Sequence, residues 1–285
     1  ANMIREAGGM QSDTAAEIKS SHLYGIEFDR EIYALACANM LIHKDGKTNL
    51  EQMDARTESA CEWMKSKPIT KVLMNPPYEN KYGCMTIVEN VLDNVPAHTQ
   101  CAFILPDKKL EKASKAQIKR ILKNHRLRKV IKLPEDLFFG IGITTSIFVF
   151  EAGVGQDGKE FFACYMESDG LATVKNKGRH DIYGKWAAIE AHWVEVMEKQ
   201  SGDNTCQWID PTEHLSYQMP QKPFEIFEED FRKTAIDYLM FQKGIDAKLF
   251  GEKLMTTAMY SSRVGVQNDT VTVVMQKGGD SDDED

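Results

Sequence analysis

The chain has 285 residues, 42% hydrophobic and 27% charged, enough for one large domain or a core domain with an appendage. A formal net charge of −8 argues against a simple polycationic nucleic-acid binder, no apolar run approaches the roughly 20 residues of a membrane span, and the opening residues do not read as a charged-then-apolar leader. Six cysteines, at 37, 61, 84, 101, 164 and 206, form no C-x-x-C pair and no zinc spacing with histidine, which predicts reduced core residues of a cytoplasmic protein and no structural metal.

In chain order, Asn2 to Gly9 reads as the tail of a helix with no strand before it. Strands are predicted at His22–Phe28, Lys71–Met74, Gln100–Leu105, Lys129–Leu133, Thr145–Phe150 and Phe161–Met166. Helices are predicted at Asp29–His43, Arg56–Lys65, Thr86–Val95, Leu110–Asn124, Trp186–Lys199 and Glu225–Phe241. The first of these is the clearest, with Asp29 as cap, Ile32, Leu35, Ala36, Cys37 and Met40 along one side, and Asp45-Gly46 as stop. Such alternation predicts an α/β fold, a doubly wound and mostly parallel sheet with helices on its faces. A doubly wound domain holds its nucleotide at the loop after its first, central strand. Neither that strand nor a Gly-rich loop is present here, so the chain is expected to begin inside a domain and to leave two strand edges unpaired. The regular alternation covers residues 1–152, followed by an extension over 153–200, a mainly helical region over 201–278 and an acidic tail over 279–285 that cannot bury anything.

Asn75-Pro76-Pro77-Tyr78, directly after the apolar Lys71–Met74, is the most informative feature. Two prolines exclude helix and stiffen the turn. Asn offers a side-chain carbonyl acceptor, the proline carbonyls accept with no competing N–H nearby, and Tyr offers a flat face. A rigid elbow of this kind suits a pocket for a planar, amino-bearing group. Glu27, at the end of the first strand, sits where nucleotide-type folds hold ribose hydroxyls, although a solvent-facing strand end reads equally simply. Asp54 precedes a helix, where it either accepts from an adenine amine or caps Arg56–Lys65. Downstream, Ile104-Leu105-Pro106-Asp107 ends another strand at a proline. Leu133-Pro134 then leads into a Gly-flanked loop with Phe138 and Phe139, and Thr144-Thr145-Ser146 enters the next strand. An aromatic in that loop forms either a second wall of a base pocket or a plug at the sheet end. Between Lys108 and Lys132 stand eleven Lys or Arg residues, readable as a phosphate-facing stripe or as a solvated helix face.

In this order, Gly25-Ile26-Glu27, Ala36 to His43, Asp54, Asn75 to Tyr78, Ile104 to Asp107, and Leu133-Pro134 with Phe138 and Thr144 to Ser146 resemble the modification subunit of type I restriction-modification systems. Those subunits are N6-adenine DNA methyltransferases. The likeness runs to about residue 195 and includes Asp169-Gly170 and Lys177-Gly178-Arg179. The resemblance implies a partial methyltransferase domain over 1–152 and S-adenosylmethionine as cofactor, with Glu27 on its ribose and Asp54 on its adenine. It implies Asn75, Pro76, Pro77 and Tyr78 as the catalytic turn and Phe138, with Phe139 second, as the late-loop aromatic. The family's Gly-rich cofactor loop and its N-terminal helical domain have no counterpart here. Implied partners are double-stranded DNA, a DNA-specificity subunit and a restriction subunit, with no membrane. Two other readings stay open. A methyltransferase acting on a protein glutamine amide would use the same elbow, and a non-catalytic fragment would bind DNA or a specificity subunit through residues near Phe224, Ile226, Phe227, Phe231 and Phe241.

Overall fold

The computed structural model describes residues 8–275, apart from 10–11, 43–48, 80, 82, 136, 138–141, 175–177, 203, 221–225, 261 and 268–269. The chain divides into two compact units, Ala1–Met219 and Pro220–Asp285. In the first unit the order is α1 (Asp13–Glu17), β1 (Tyr24–Glu27), α2 (Arg30–Ile42), β2 (Asn49–Gln52), α3 (Glu58–Lys65), β3 (Lys71–Met74), α4 (Cys84–Asn94) and β4 (Gln100–Pro106). There follow α5 (Lys109–Lys112), α6 (Lys115–Asn124), β5 (Arg126–Lys132), β6 (Thr145–Glu151), β7 (Phe161–Tyr165), β8 (Ala172–Val174), β9 (Gly178–His180), α7 (Trp186–Lys199) and β10 (Gln207–Ile209).

The main sheet has six strands in the order β10-β7-β5-β6-β4-β3. Four of them, β3, β4, β5 and β7, run one way, and β6 and β10 run against them. This is the α/β fold with a mostly one-directional sheet that the sequence pattern predicts. Strand side chains alternate between the two faces, and that alternation sorts them into two cores. Phe103 and Leu105 of β4, Phe148 and Phe150 of β6, Val130 of β5 and Phe161 of β7 meet α4 and α6 through Val88, Leu92, Ile118 and Ile121. Ile131, Phe162 and Cys164 face the other way and meet Val196 of α7, with Ile147, Val149, Trp193 and Met197 beside them. Burial in the first core pushes the Cys101 thiol up to about 12, which keeps it protonated and unreactive at neutral pH.

β1 and β2 pair in parallel as a sheet of their own, with Tyr24 opposite Asn49 and Glu27 opposite Gln52. β3 is the edge of the main sheet, and its Leu73 is 87% exposed. β2 is absent from the sequence expectation because its Asn-Leu-Glu-Gln run has little strand preference, and backbone pairing to β1 makes it a strand. The single helix expected over Leu110–Asn124 is two, because Ala113 turns extended (ψ 168°) and Ser114 opens a new helix.

The second unit holds α8 (Glu228–Gln242), α9 (Ala247–Tyr260) and an antiparallel hairpin of β11 (Ser262–Gln267) and β12 (Thr270–Met275). The expectation of a mainly helical region over 201–278 therefore needs the hairpin added. Its signal, alternating valines at 264, 266, 271 and 273, is present in the chain. Phe231, Leu239 and Phe241 of α8 are exposed. No helix among the described residues is long and apolar enough to cross a membrane.

One polar contact ties the far ends of the central strands together. The Asp107 carboxylate, just past β4, accepts from Ser146 Oγ of β6 at 2.6 Å and lies 3.5 Å from Lys132 Nζ of β5. Both charged side chains are nearly buried, at 12% and 5% exposure, and the ammonium also stands 5.4 Å over the Tyr165 ring. Removing one partner of such a pair strands the other charge in the interior. Asp107→Ala is therefore expected to cost about 3–5 kcal/mol in equilibrium urea unfolding, and the apolar pair Asp107→Leu with Lys132→Met to recover most of it.

Candidate active site

β3 is short because Pro76 follows Asn75: proline has no N–H for the ladder, so pairing stops at Met74, opposite Phe103 of β4. The chain then turns outward at the end of the sheet where β4 and β5 also finish. Asn75 and Pro77 are exposed, Pro76 is buried, and Tyr78 is half-buried. The turn is pinned from α5, since Lys109 Nζ donates to the Tyr78 carbonyl at 2.5 Å.

Burial pushes the Tyr78 phenol above its ordinary value, the Asn75 side chain opposes that, and the Cys84 thiol adds to it. The Tyr78 hydroxyl is nonetheless buried without a hydrogen bond of good geometry, so the Asn75 amide is close but not aligned with it. Cys84 opens α4 directly behind the turn; burial pushes its thiol up and the Lys109 ammonium draws it down.

Glu27 ends β1 and Asp54 follows β2 by two residues, and a bond from Met53 N to the Glu27 carbonyl at 3.1 Å joins the two strand ends. Glu27 is half-buried, and its Oε1 accepts from Asp29 N at 2.8 Å. That leaves acceptor capacity on the other oxygen, which fits a ribose hydroxyl. Asp54 is different. Its carboxylate accepts from the Arg56 backbone N–H at 2.9 Å, from Nε at 2.8 and 3.0 Å, and from Nη2 at 2.5 Å. A carboxylate has about four lone-pair sites, so Arg56 saturates it, and an adenine amine reaches Asp54 only where Arg56 yields. The Arg56 hydrogen bonds hold the Asp54 carboxyl below its ordinary value. Asp54 caps no helix; Thr57 does that for α3, by accepting from Ala60 N.

Arg56 also reaches the start of α4. Its Cδ lies 3.1 Å from where a Cβ on Gly83 would stand, and Gly83 has a left-handed φ of +69° just before α4. Asn90 of α4 donates to the Ala55 carbonyl at 3.2 Å. Among the described residues, no strand pairing joins β1 to β3.

Phe138 and Phe139 lie outside the described residues. The ends of their loop are fixed to the same sheet end: Leu133 N donates to the Thr145 carbonyl at 3.0 Å, and Asp107 N to the Thr144 carbonyl at 3.0 Å. The basic run does not form one stripe. Arg120 pairs with Glu89, Arg128 with Glu151, and Lys132 with Asp107, while Lys129 Nζ donates to the Met197 carbonyl. A cleft of about 420 Å³ lined by His98, Arg128, Lys129, Glu151 and Glu198 sits at the opposite end of the sheet, away from Asn75. Sequence reasoning missed Arg56 and Lys109 as parts of the site. Both contact it through side chains, across turns that no local pattern encodes.

A mixed α/β protein with this sheet and a proline-stiffened turn at the end of β3 has a methyltransferase-type fold. The N-6 DNA methylase family model matches residues 2–104 and 85–183, and the chain belongs to that family. It is 28% identical over 256 residues to the type II restriction enzyme and methyltransferase RM.BcgI of Heyndrickxia coagulans, across 82% of this chain and 39% of that protein. The methyltransferase subunit of a type I restriction-modification system from Streptococcus thermophilus superposes with a TM-score of 0.50 at 19% identity, over 67% of this chain and 45% of that one. The type I restriction enzyme EcoKI M protein gives a TM-score of 0.50 at 12% identity, over 67% and 44%. At these identities the two structures share the fold. The chain spans less than half the length of each of these relatives.

Two substitutions test the geometry. Tyr78→Phe removes a buried hydroxyl that lacks a partner, so the thermal unfolding midpoint should rise, by the equivalent of about 1 kcal/mol. Arg56→Met should raise the Asp54 carboxyl toward its ordinary value in an NMR titration. Because the native value is lowered, the pair stabilises the fold above the ordinary carboxylate value, and that contribution is lost as pH falls through the lowered one. The variant should lack this acid-side loss.

Proposed function

We propose that this protein transfers a methyl group from S-adenosylmethionine to the exocyclic N6 amine of an adenine turned out of duplex DNA, as the modification part of a restriction-modification system. Membership of the N-6 DNA methylase family supports the reaction and implies the methyl donor. The observation that carries the assignment of residues is the Asn75–Tyr78 turn. It leaves an exposed amide at the end of a strand, with a buried proline behind it and a half-buried tyrosine beyond.

The chemistry follows from the substrate. The amine of adenine is conjugated with its ring, so its lone pair is a poor nucleophile. As the new bond forms, the nitrogen becomes tetrahedral and positively charged. Acceptors aimed at its two N–H bonds stabilise that charge without prior removal of a proton. Asn75 Oδ1 and the Pro76 carbonyl serve as those acceptors. Pro77 keeps the elbow rigid, and a preorganised dipole needs no reorientation at the moment of reaction. Tyr78 stacks on the extruded base, with Phe138 on its other side; each base–aromatic contact is worth roughly 1–3 kcal/mol.

When bound, the cofactor presents its methyl group as an electrophile on a sulfonium. Glu27 accepts from the ribose hydroxyls, and Asp54 takes the cofactor adenine once Arg56 turns aside. DNA, a DNA-specificity subunit and a restriction subunit are the partners this reading assigns. The type I subunits that share the fold support such an assembly.

The test is transfer of labelled methyl from S-adenosylmethionine by the full-length protein, with duplex DNA, RNA and a glutamine-bearing protein offered in parallel. Label at adenine N6 of DNA is the expected result, and label on the glutamine amide would replace this reading. Asn75→Ala should lower transfer about a hundredfold or more, with cofactor affinity in calorimetric titration unchanged. A fully active variant would remove Asn75 from the mechanism.

A further inference from the structure

We propose that a second, cationic cleft beside the catalytic turn binds a backbone phosphate of the DNA strand that carries the target adenine, a proposal that rests on the DNA methyltransferase reading above. The cleft has a volume of about 210 Å³ and is lined by Pro106, Lys108, Lys109, Lys112 and Ala113, so three of its five lining residues are lysines and none is acidic. It opens where β4 ends, at the same end of the sheet as Asn75. Lys109 is the shared wall: its ammonium donates to the Tyr78 carbonyl, which fixes the cleft next to the turn.

The cleft, not charge alone, sets its lysines apart, because Lys115, Lys119 and Lys123 are also exposed but do not line it. Four other basic residues, Arg120, Arg128, Lys129 and Lys132, are satisfied by protein acceptors. Glu111 is the one carboxylate on α5, and it is drawn off the cleft to Leu215 N at 3.1 Å and Ser216 Oγ at 2.8 Å. Lys108 and Lys112 are exposed and form no ion pair among the described residues. A cleft lined by lysines, with Lys108 and Lys112 lacking an ion pair among the described residues, is a site for an external anion. A phosphodiester fits by charge and by position: a nucleotide whose base lies against Tyr78 has its own phosphates at the rim of the same turn. Phosphate contacts position a duplex without reading its sequence, which suits a protein whose target is read elsewhere.

The test is the salt dependence of binding to an adenine-containing duplex, measured with the full chain. Each phosphate contact adds about 0.9 to the slope of log affinity against log salt. The double variant Lys108→Gln with Lys112→Gln should weaken binding and lower that slope by about 1, while leaving the thermal midpoint unchanged. The triple variant Lys115→Gln, Lys119→Gln and Lys123→Gln, on the outer side of α6, should leave the slope as it is. The opposite pattern, with methyl transfer by the wild type intact, overturns the cleft and leaves the enzymatic reading standing. A wild type that transfers no methyl group to DNA overturns that reading and this one with it. Tight binding of inorganic phosphate that the double variant loses, with DNA binding unchanged, would assign the cleft to a free phosphate and overturn the proposal.

Discussion

The near-buried pair of Lys132 and Asp107 is the constraint on which the arrangement of the site depends. Three strands of the main sheet end within reach of it: β4 supplies the carboxylate, β5 the ammonium, and β6 the Ser146 hydroxyl that shares the carboxylate. Hydrophobic packing alone is non-directional and roughly proportional to area; it holds Phe103 against Phe150 at 6.2 Å without fixing where each strand ends. A charge pair in a poorly solvated place is directional and costly to misplace. It sets the height at which β4 gives way to Lys108 and Lys109 and at which the late loop leaves and rejoins the sheet. The Asn75–Tyr78 turn inherits that height through Lys109.

What the chain revealed of its fold depended on how locally each element is determined. β3, β6 and α7 were legible because each is an apolar or amphipathic run with its own boundaries: Pro76 stops β3, and Gln200, in a left-handed conformation, ends α7. β2 was not legible, because a run as polar as Asn49–Gln52 is a strand only by virtue of its neighbour. The hairpin of β11 and β12 was overlooked for the opposite reason. Its alternating valines are a local signal, but a short one that follows a longer helical pattern.

The candidate site divides in the same way. Asn75, Pro76, Pro77 and Tyr78 are contiguous, so their chemistry is readable from the letters. Glu27 and Asp54 stand out only as carboxylates at strand ends, and their adjacency comes from the parallel pairing of β1 with β2. The restraint of Asp54 by Arg56 lay two residues away and was still missed, since a guanidinium folding back on a carboxylate depends on backbone direction. Lys109 sits 31 residues from the carbonyl it holds, beyond any periodicity. The eleven basic residues taken together suggested one surface; the folded chain distributes them among ion pairs, a helix face and a cleft.

The reversed direction of β6 has a consequence for how such a protein diversifies. A parallel strand in that place would force the chain to cross back to the start of the sheet before re-entering it. Because β6 runs against both its neighbours, the segment between Lys132 and Thr145 leaves and returns at one end. Its two feet are held at that end by the Leu133 and Asp107 backbone bonds. Insertions there need not shift the register of β5 on β6, although Leu133 lies in the second core and Leu137 packs against it. The sheet thus offers selection a connection whose length can change, at the end where the Asn75–Tyr78 turn lies, while β5 and β6 keep their pairing.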